Sequence, residues 1–258
     1  MTRTKCEQTF DWYWSDESRS ESSRSQALKQ RPAHTRTLAR LCEGNNLLHF
    51  ALWTSLPQGH PVGELWLETE TDLHAAIYLA YGGYFRQAFV ILRTWFELTV
   101  AGVYFANHYK QSNSRYRQWR GGTRQAPANM REVAESLASY AIKSLAVSSG
   151  AIQQQLEPVY SLLSHHVHGQ GLDVYDLQNG RDNVPRFLAR SFDLWWSGVI
   201  QVFAATCYLY KLFYPREIGE YLCGSKQELR RARDLARNLK GDVPEFTALV
   251  QAATAACG

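Results

Sequence analysis

At 258 residues, 45% of them hydrophobic and 13% aromatic, the chain is long enough to bury a sizeable core and too apolar to be intrinsically disordered. Its formal net charge of +4 permits a phosphate-bearing partner without demanding one. Five scattered cysteines, Cys6, Cys42, Cys207, Cys223 and Cys257, form no short CxxC pair. They argue against a zinc site or a disulfide framework and for reduced thiols in a cytoplasmic protein.

The first 35 residues read as a separate segment. An aromatic patch, Phe10 to Trp14, is suited to docking, and the Ser/Arg/Glu-rich stretch 15–25 reads as flexible. No apolar run in residues 1–21 resembles a secretory signal. Residues 36–258 read as one helical domain with a C-terminal helical extension.

Within that domain a first helix is predicted over 37–53 and is broken by the Pro- and Gly-containing stretch 56–61. A second helix from about Gly63 carries Leu65, Leu67, Leu73, Ile77 and Tyr81 as its apolar stripe. Gly82-Gly83 marks a tight turn into a third, 84–109. There Phe85, Ala88, Phe89, Leu92, Phe96, Val100, Val103 and Tyr104 recur at helical spacing. So short a connection favours an antiparallel hairpin.

The stretch 110–127 is polar and basic. Helices follow over 129–145 and 151–168, the latter closed by Gly169-Gln170-Gly171, with a loop at 173–183. Pro185 is placed to open the longest apolar helix, which ends before Pro215. Its uncharged run Leu194 to Tyr210 is seventeen residues long, shorter and more polar than a membrane span requires, and reads as a buried bundle helix. Two amphipathic helices, 226–240 and 243–256, complete the chain. No segment alternates as a strand does, and the fold class is all-α, a bundle of long antiparallel helices.

Chemistry is sought where polar residues interrupt apolar helices. Arg93 and Glu97, four apart, share one face of the 84–109 helix, either as a buried pair that fixes register or as part of a site. Tyr160, Ser164 and His168 form a ridge at the same spacing. His165, His166 and His168 do not share a face, which speaks against a metal site; packing, capping of the helix end and acid–base chemistry stay open for them. Arg115, Arg117, Trp119, Arg120 and Arg124 interleave cations with rings, as phosphate-gripping and base-stacking surfaces do; a solvated loop is the alternative. The basic run Arg230 to Arg237 reads more readily as a solvated helix face. No cofactor motif is present.

A glycine-interrupted hairpin leading into Arg93-x-x-x-Glu97, followed by Tyr160-x-x-x-Ser164-x-x-x-His168-Gly169, resembles uncharacterised bacterial HEPN-like proteins over roughly residues 60–215. That resemblance implies a helical bundle, commonly a homodimer or part of a larger protein complex. It also implies one of two activities: a metal-independent ribonuclease of a defence or toxin system, or an inactive scaffold binding a protein or nucleic acid. The usual nuclease motif of the group, Arg and then His after four to six residues, is absent: none of the eight histidines has an arginine at that distance. Under the resemblance Arg93, Glu97, Tyr160, Ser164 and His168 are the catalytic candidates, RNA is the partner, and no membrane is involved.

Overall fold

The computed structural model describes residues 5–107, 116–122, 133, 135–137, 149–167 and 185–256, with side chains from residue 17 onward. The helices are α1 (Lys5–Gln30), α2 (Pro32–Ser55), α3 (Pro61–Tyr81), α4 (Phe85–Asn107), α5 (Ser149–Val167), α6 (Ala189–Phe213), α7 (Pro215–Gly224), α8 (Lys226–Leu239) and α9 (Pro244–Ala255). Among the described residues there is no strand, so the protein is an all-α bundle.

The centre of the bundle follows from the apolar periodicity of α3, α4 and α6. Residues 85, 88, 89, 92, 96, 100 and 103 of α4 are buried, as their spacing requires, and Trp95 joins them. Each Val, Leu or Phe among them contributes roughly 1.5–3 kcal/mol on leaving water. On α3, Leu65, Leu73 and Tyr81 are buried, but Leu67 is exposed. Two residues along a helix turn the side chain through about 200°, so Leu65 and Leu67 cannot face the same core.

The α3–α4 hairpin turns at Gly83, whose φ of +87° disfavours any residue with a side chain. A Cβ there would also lie 2.5 Å from the Arg186 backbone nitrogen. α6 approaches α4 and α5 closely at Gly198, where a Cβ would meet Leu92 at 3.0 Å and Leu163 at 3.9 Å. α7 and α9 close the other side of α6, and α8 packs on α2 and α9.

Four sequence expectations change. The 15–25 stretch is helical within α1, because Ser20, Ser23 and Ala27, at helical spacing, face the bundle and leave the charged residues outside. Pro185 does not open α6: residues 185–188 are non-helical, Arg186 packs on the glycine turn, and the helix begins at Ala189. A short helix, α7, opens on Pro215 with Glu217 in its first turn, a start signal the sequence did carry. Cys42 and Cys207 are free, but Cys223 is disulfide-bonded, a pairing set by tertiary proximity that spacing along the chain does not signal.

The uncharged run 194–210 lies in α6, where Trp195, Val199, Val202, Phe203, Cys207 and Leu209 are buried. Among the described residues one stretch, Phe85–Ala106, is long and apolar enough to cross a membrane, and most of it is buried within the bundle. Of the predicted 129–145 helix only residues 133 and 135–137 are described, and they are helical. The 169–171 terminator and the 173–183 loop lie outside the described residues.

Candidate functional site

Three of the residues singled out by spacing meet on one seam. α4 and α5 lie side by side, with Phe89 stacked on His166 at 4.1 Å between ring centroids. One turn further along α4, the Arg93 Nε donates to Glu97 Oε1 at 2.7 Å. Its Nη2 donates to the Tyr160 hydroxyl of α5 at 3.0 Å. The guanidinium also lies over the Tyr160 ring, 5.0 Å from its centroid. Contacts of this type contribute about 0.5–1 kcal/mol at exposed sites and more when desolvated.

The Arg93 side chain is 18% exposed and that of Glu97 44%. The cation is therefore largely withdrawn from water while its carboxylate partner stays at the surface. Glu97 and Tyr160 hold the guanidinium plane from two helices, which fixes a forked donor in one orientation. Pro158 sits inside α5 two residues before Tyr160 and removes one backbone donor there. Ser164, one turn beyond Tyr160, has a hydroxyl shielded from solvent with no hydrogen-bond partner among the described residues. Such a group sits at a cost unless another atom reaches it.

His168, the next position on this ridge, lies outside the described residues. His166 is buried and packs on Phe89, whereas His165 is exposed. The described residues hold no cluster of three or more His, Cys, Asp or Glu suited to a metal ion.

The basic–aromatic stretch is organised differently from a free loop. Residues 116–120 form a helical turn docked on α3 and α4. Tyr116 is buried and donates to Glu64 Oε2 at 2.7 Å; burial and then that carboxylate push its phenol well up. Arg120 pairs with Glu68. The Trp119 ring packs 5.2 Å from Phe105, which takes up part of the surface a base would stack on. Arg117 is exposed, and Arg115 and Arg124 lie outside the described residues.

A second polar cluster, which the sequence reading passed over, joins α2 to α3. The Asn45 Nδ2 donates to Glu70 Oε2 at 2.8 Å, and His49 Nδ1 stands 3.3 Å from the same oxygen. His74 reaches Glu70 Oε1 at 3.4 Å from the outer side. The His49 side chain is 0% exposed and that of Glu70 13%. Burial acts to raise the Glu70 carboxyl, but the His49 and Asn45 hydrogen bonds and the His74 charge outweigh it and hold it below the usual range. Burial, with Glu70 nearby, pushes the Cys42 thiol up to about 12, so it is not a thiolate nucleophile. Trp66 and Tyr210 flank His49 and line a small pocket with Leu65, Thr69, Leu98 and Thr99. That pocket is not lined by Arg93 or Tyr160, so it and the α4–α5 seam are separate places.

No family model, curated protein or solved structure matches this chain.

Proposed function

We propose that this chain is a HEPN-like helical protein that cleaves RNA without a metal ion, with the α4–α5 seam as its phosphate-recognition site. The observation that carries the reading is the meeting of Arg93, Glu97 and Tyr160 across two helices, from positions 67 residues apart. Arg93 is the cation for the phosphorane, and a guanidinium fork suits two phosphate oxygens. Glu97 and Tyr160 hold that fork. Ser164, with its unengaged hydroxyl, is a substrate hydrogen-bonding group.

In the reaction a base takes the proton from the ribose 2′-hydroxyl. The O2′ attacks phosphorus, the P–O5′ bond breaks, and an acid returns a proton to O5′. The products are a 2′,3′-cyclic phosphate and a 5′-hydroxyl. His168 is the candidate for one of the two proton transfers, each of which contributes on the order of 10²–10⁴-fold. The wider setting, a cytoplasmic homodimer or larger complex in bacterial defence or as a toxin, follows from the resemblance.

A second reading has its own support. Arg93 is mostly buried and is already bonded to both Glu97 and Tyr160, as a register-fixing pair in an inactive scaffold would be. Such a scaffold would bind a protein partner or nucleic acid without cutting it. Labelled tRNA and single-stranded RNA incubated with the protein in EDTA separate the two. Cleavage that disappears in His168→Ala supports the ribonuclease; intact RNA with folded wild-type protein supports the scaffold.

A further inference from the structure

The charge of this protein is unevenly placed. Residues 226–240 hold six of the chain's 28 Lys and Arg and two of its 24 Asp and Glu. That stretch alone accounts for the whole net charge of +4. It is α8 with its C-cap, Lys240.

The helix is anchored by the burial of Ala232, Leu235, Ala236 and Leu239 on one face and by Ser225, whose hydroxyl accepts from the Glu228 backbone N–H at 3.3 Å. Facing away from the core, Lys226, Arg230, Arg233, Arg237 and Lys240 are all exposed. At 3.6 residues per turn they fall within an arc of about 80°, in a row about 21 Å long. Among the described residues only Arg237 of these five forms an ion pair, with Asp234 at 3.2 Å, an exposed pair of small worth.

Several other described arginines are paired with acids from the same or another helix: Arg31 with Asp193, Arg93 with Glu97, Arg120 with Glu68, Arg216 with Glu220 and Arg231 with Glu43. On α8 the adjacent cations stand three and four residues apart, where like charges cost roughly 0.2–0.5 kcal/mol per pair. Lys226 opposes the helix dipole as well. All five residues are exposed, so none contributes to the buried core. The row extends sideways onto α2. Arg231 binds Glu43 at 2.6 Å and Thr37 donates to Asp242 at 3.1 Å, so the α2 face carrying Arg36 and Arg40 lies alongside α8.

We propose that the exposed basic row of α8, flanked by Arg36 and Arg40 of α2, binds the phosphate backbone of single-stranded RNA without reading its sequence. An anion laid along the row relieves its self-repulsion and releases condensed counterions, which is the usual source of such affinity. An anionic membrane is the poorer fit. Lipid-seated helices insert an apolar face, and here that face is spent on the core. The choice of RNA rests on the proposed function; the residues are independent of the α4–α5 seam.

The test is fluorescence anisotropy of the full chain with a labelled, fully 2′-O-methylated single-stranded RNA, titrated against salt. Lacking the 2′-hydroxyl nucleophile, this probe cannot be cut, so the result stands apart from any cleavage. The variant is Arg230→Gln/Arg233→Gln/Arg237→Gln, whose exposed positions accept a good helix former. Its affinity is expected to fall at least tenfold at low salt. The slope of log K against log salt is expected to shrink by about two units, at about 0.7 per lost phosphate contact. A charge-keeping Arg230→Lys/Arg233→Lys/Arg237→Lys chain is expected to retain binding. Should the glutamine variant unfold, Lys226→Gln/Lys240→Gln is expected to lose about one unit of slope. No binding by the wild type, an unchanged slope in either glutamine variant, or preference for phosphatidylserine vesicles over the RNA overturns the inference.

Discussion

Two of the polar clusters among the described residues are built from similar parts to different ends. Between α2 and α3, Glu70 gathers Asn45 and His49 in a setting where His49 has no contact with solvent. Between α4 and α5, Glu97 and Tyr160 hold Arg93, but Glu97 stays nearly half exposed. The first cluster is the more enclosed, with His49 unexposed and Glu70 13% exposed, and its value is measured in stability. The second lies nearer the surface, with the Arg93 side chain 18% and that of Glu97 44% exposed. A carboxylate beside a nitrogen base therefore does not indicate function by itself; access decides which role it serves.

Substitutions sharpen the contrast, beginning with the sealed side. Glu70→Ala leaves the buried Asn45 amide and His49 imidazole without their shared acceptor. It is expected to cost about 3 kcal/mol, or a drop of roughly 6–12 °C in Tm, read by thermal unfolding. A drop below about 1 kcal/mol would mean that solvent reaches the cluster and would erase the distinction.

Acid is expected to weaken the fold next, through a buried histidine outside both clusters. Burial lowers the pKa of His60, the residue preceding α3, from 6.5 to about 4. The folded state thus binds fewer protons than the unfolded chain between those values. The His60 contribution is complete above pH 6.5 and is lost as pH falls toward 4, by at most about 3 kcal/mol at 1.36 per unit. Asp72, raised to about 6 by burial and then by Glu68, works in the opposite sense over part of this range. The comparison that isolates His60 is therefore wild type against His60→Gln, whose denaturant midpoint is expected to change less between pH 6.5 and 4.

Smaller effects belong to the open side. Tyr160→Phe keeps the ring under Arg93 and removes one hydrogen bond, for about 1 kcal/mol in urea unfolding. Glu97→Gln removes the charge of the half-exposed partner but leaves an amide oxygen to accept from Arg93, and is expected to cost less than about 0.5 kcal/mol. Losses of 3 kcal/mol or more at these positions would mark the α4–α5 cluster as the true structural pair.

Legibility in the sequence divides along the same line. The apolar stripe of α4 and the pairing of Arg93 with Glu97 are local, so the 3.6-residue period is enough to read them. Arg93 and Tyr160 each stand out as polar positions on apolar helices, but that they meet from 67 residues apart is a tertiary fact. His49 and Glu70 are 21 residues apart on different helices, so no spacing rule joins them. Asn45 and His49, four apart in the apolar run of α2, did carry the signal used for Arg93 and Glu97. The polar composition of α1 hid its helix, because small serines at the interface do not register as an apolar stripe. On α8 the amphipathic pattern was plain, but which of its arginines are already paired depends on Glu43 of α2, and only the packing of α8 on α2 reveals it.

The most direct test of the account sets the two clusters against each other in one assay. Wild type, Arg93→Gln and Glu70→Gln, each checked for helical content, are incubated with labelled single-stranded RNA in EDTA. The account predicts cleavage to a 2′,3′-cyclic phosphate by wild type and by Glu70→Gln, and its loss in Arg93→Gln. Equal cleavage by Arg93→Gln and wild type, or intact RNA with all three folded, would contradict it.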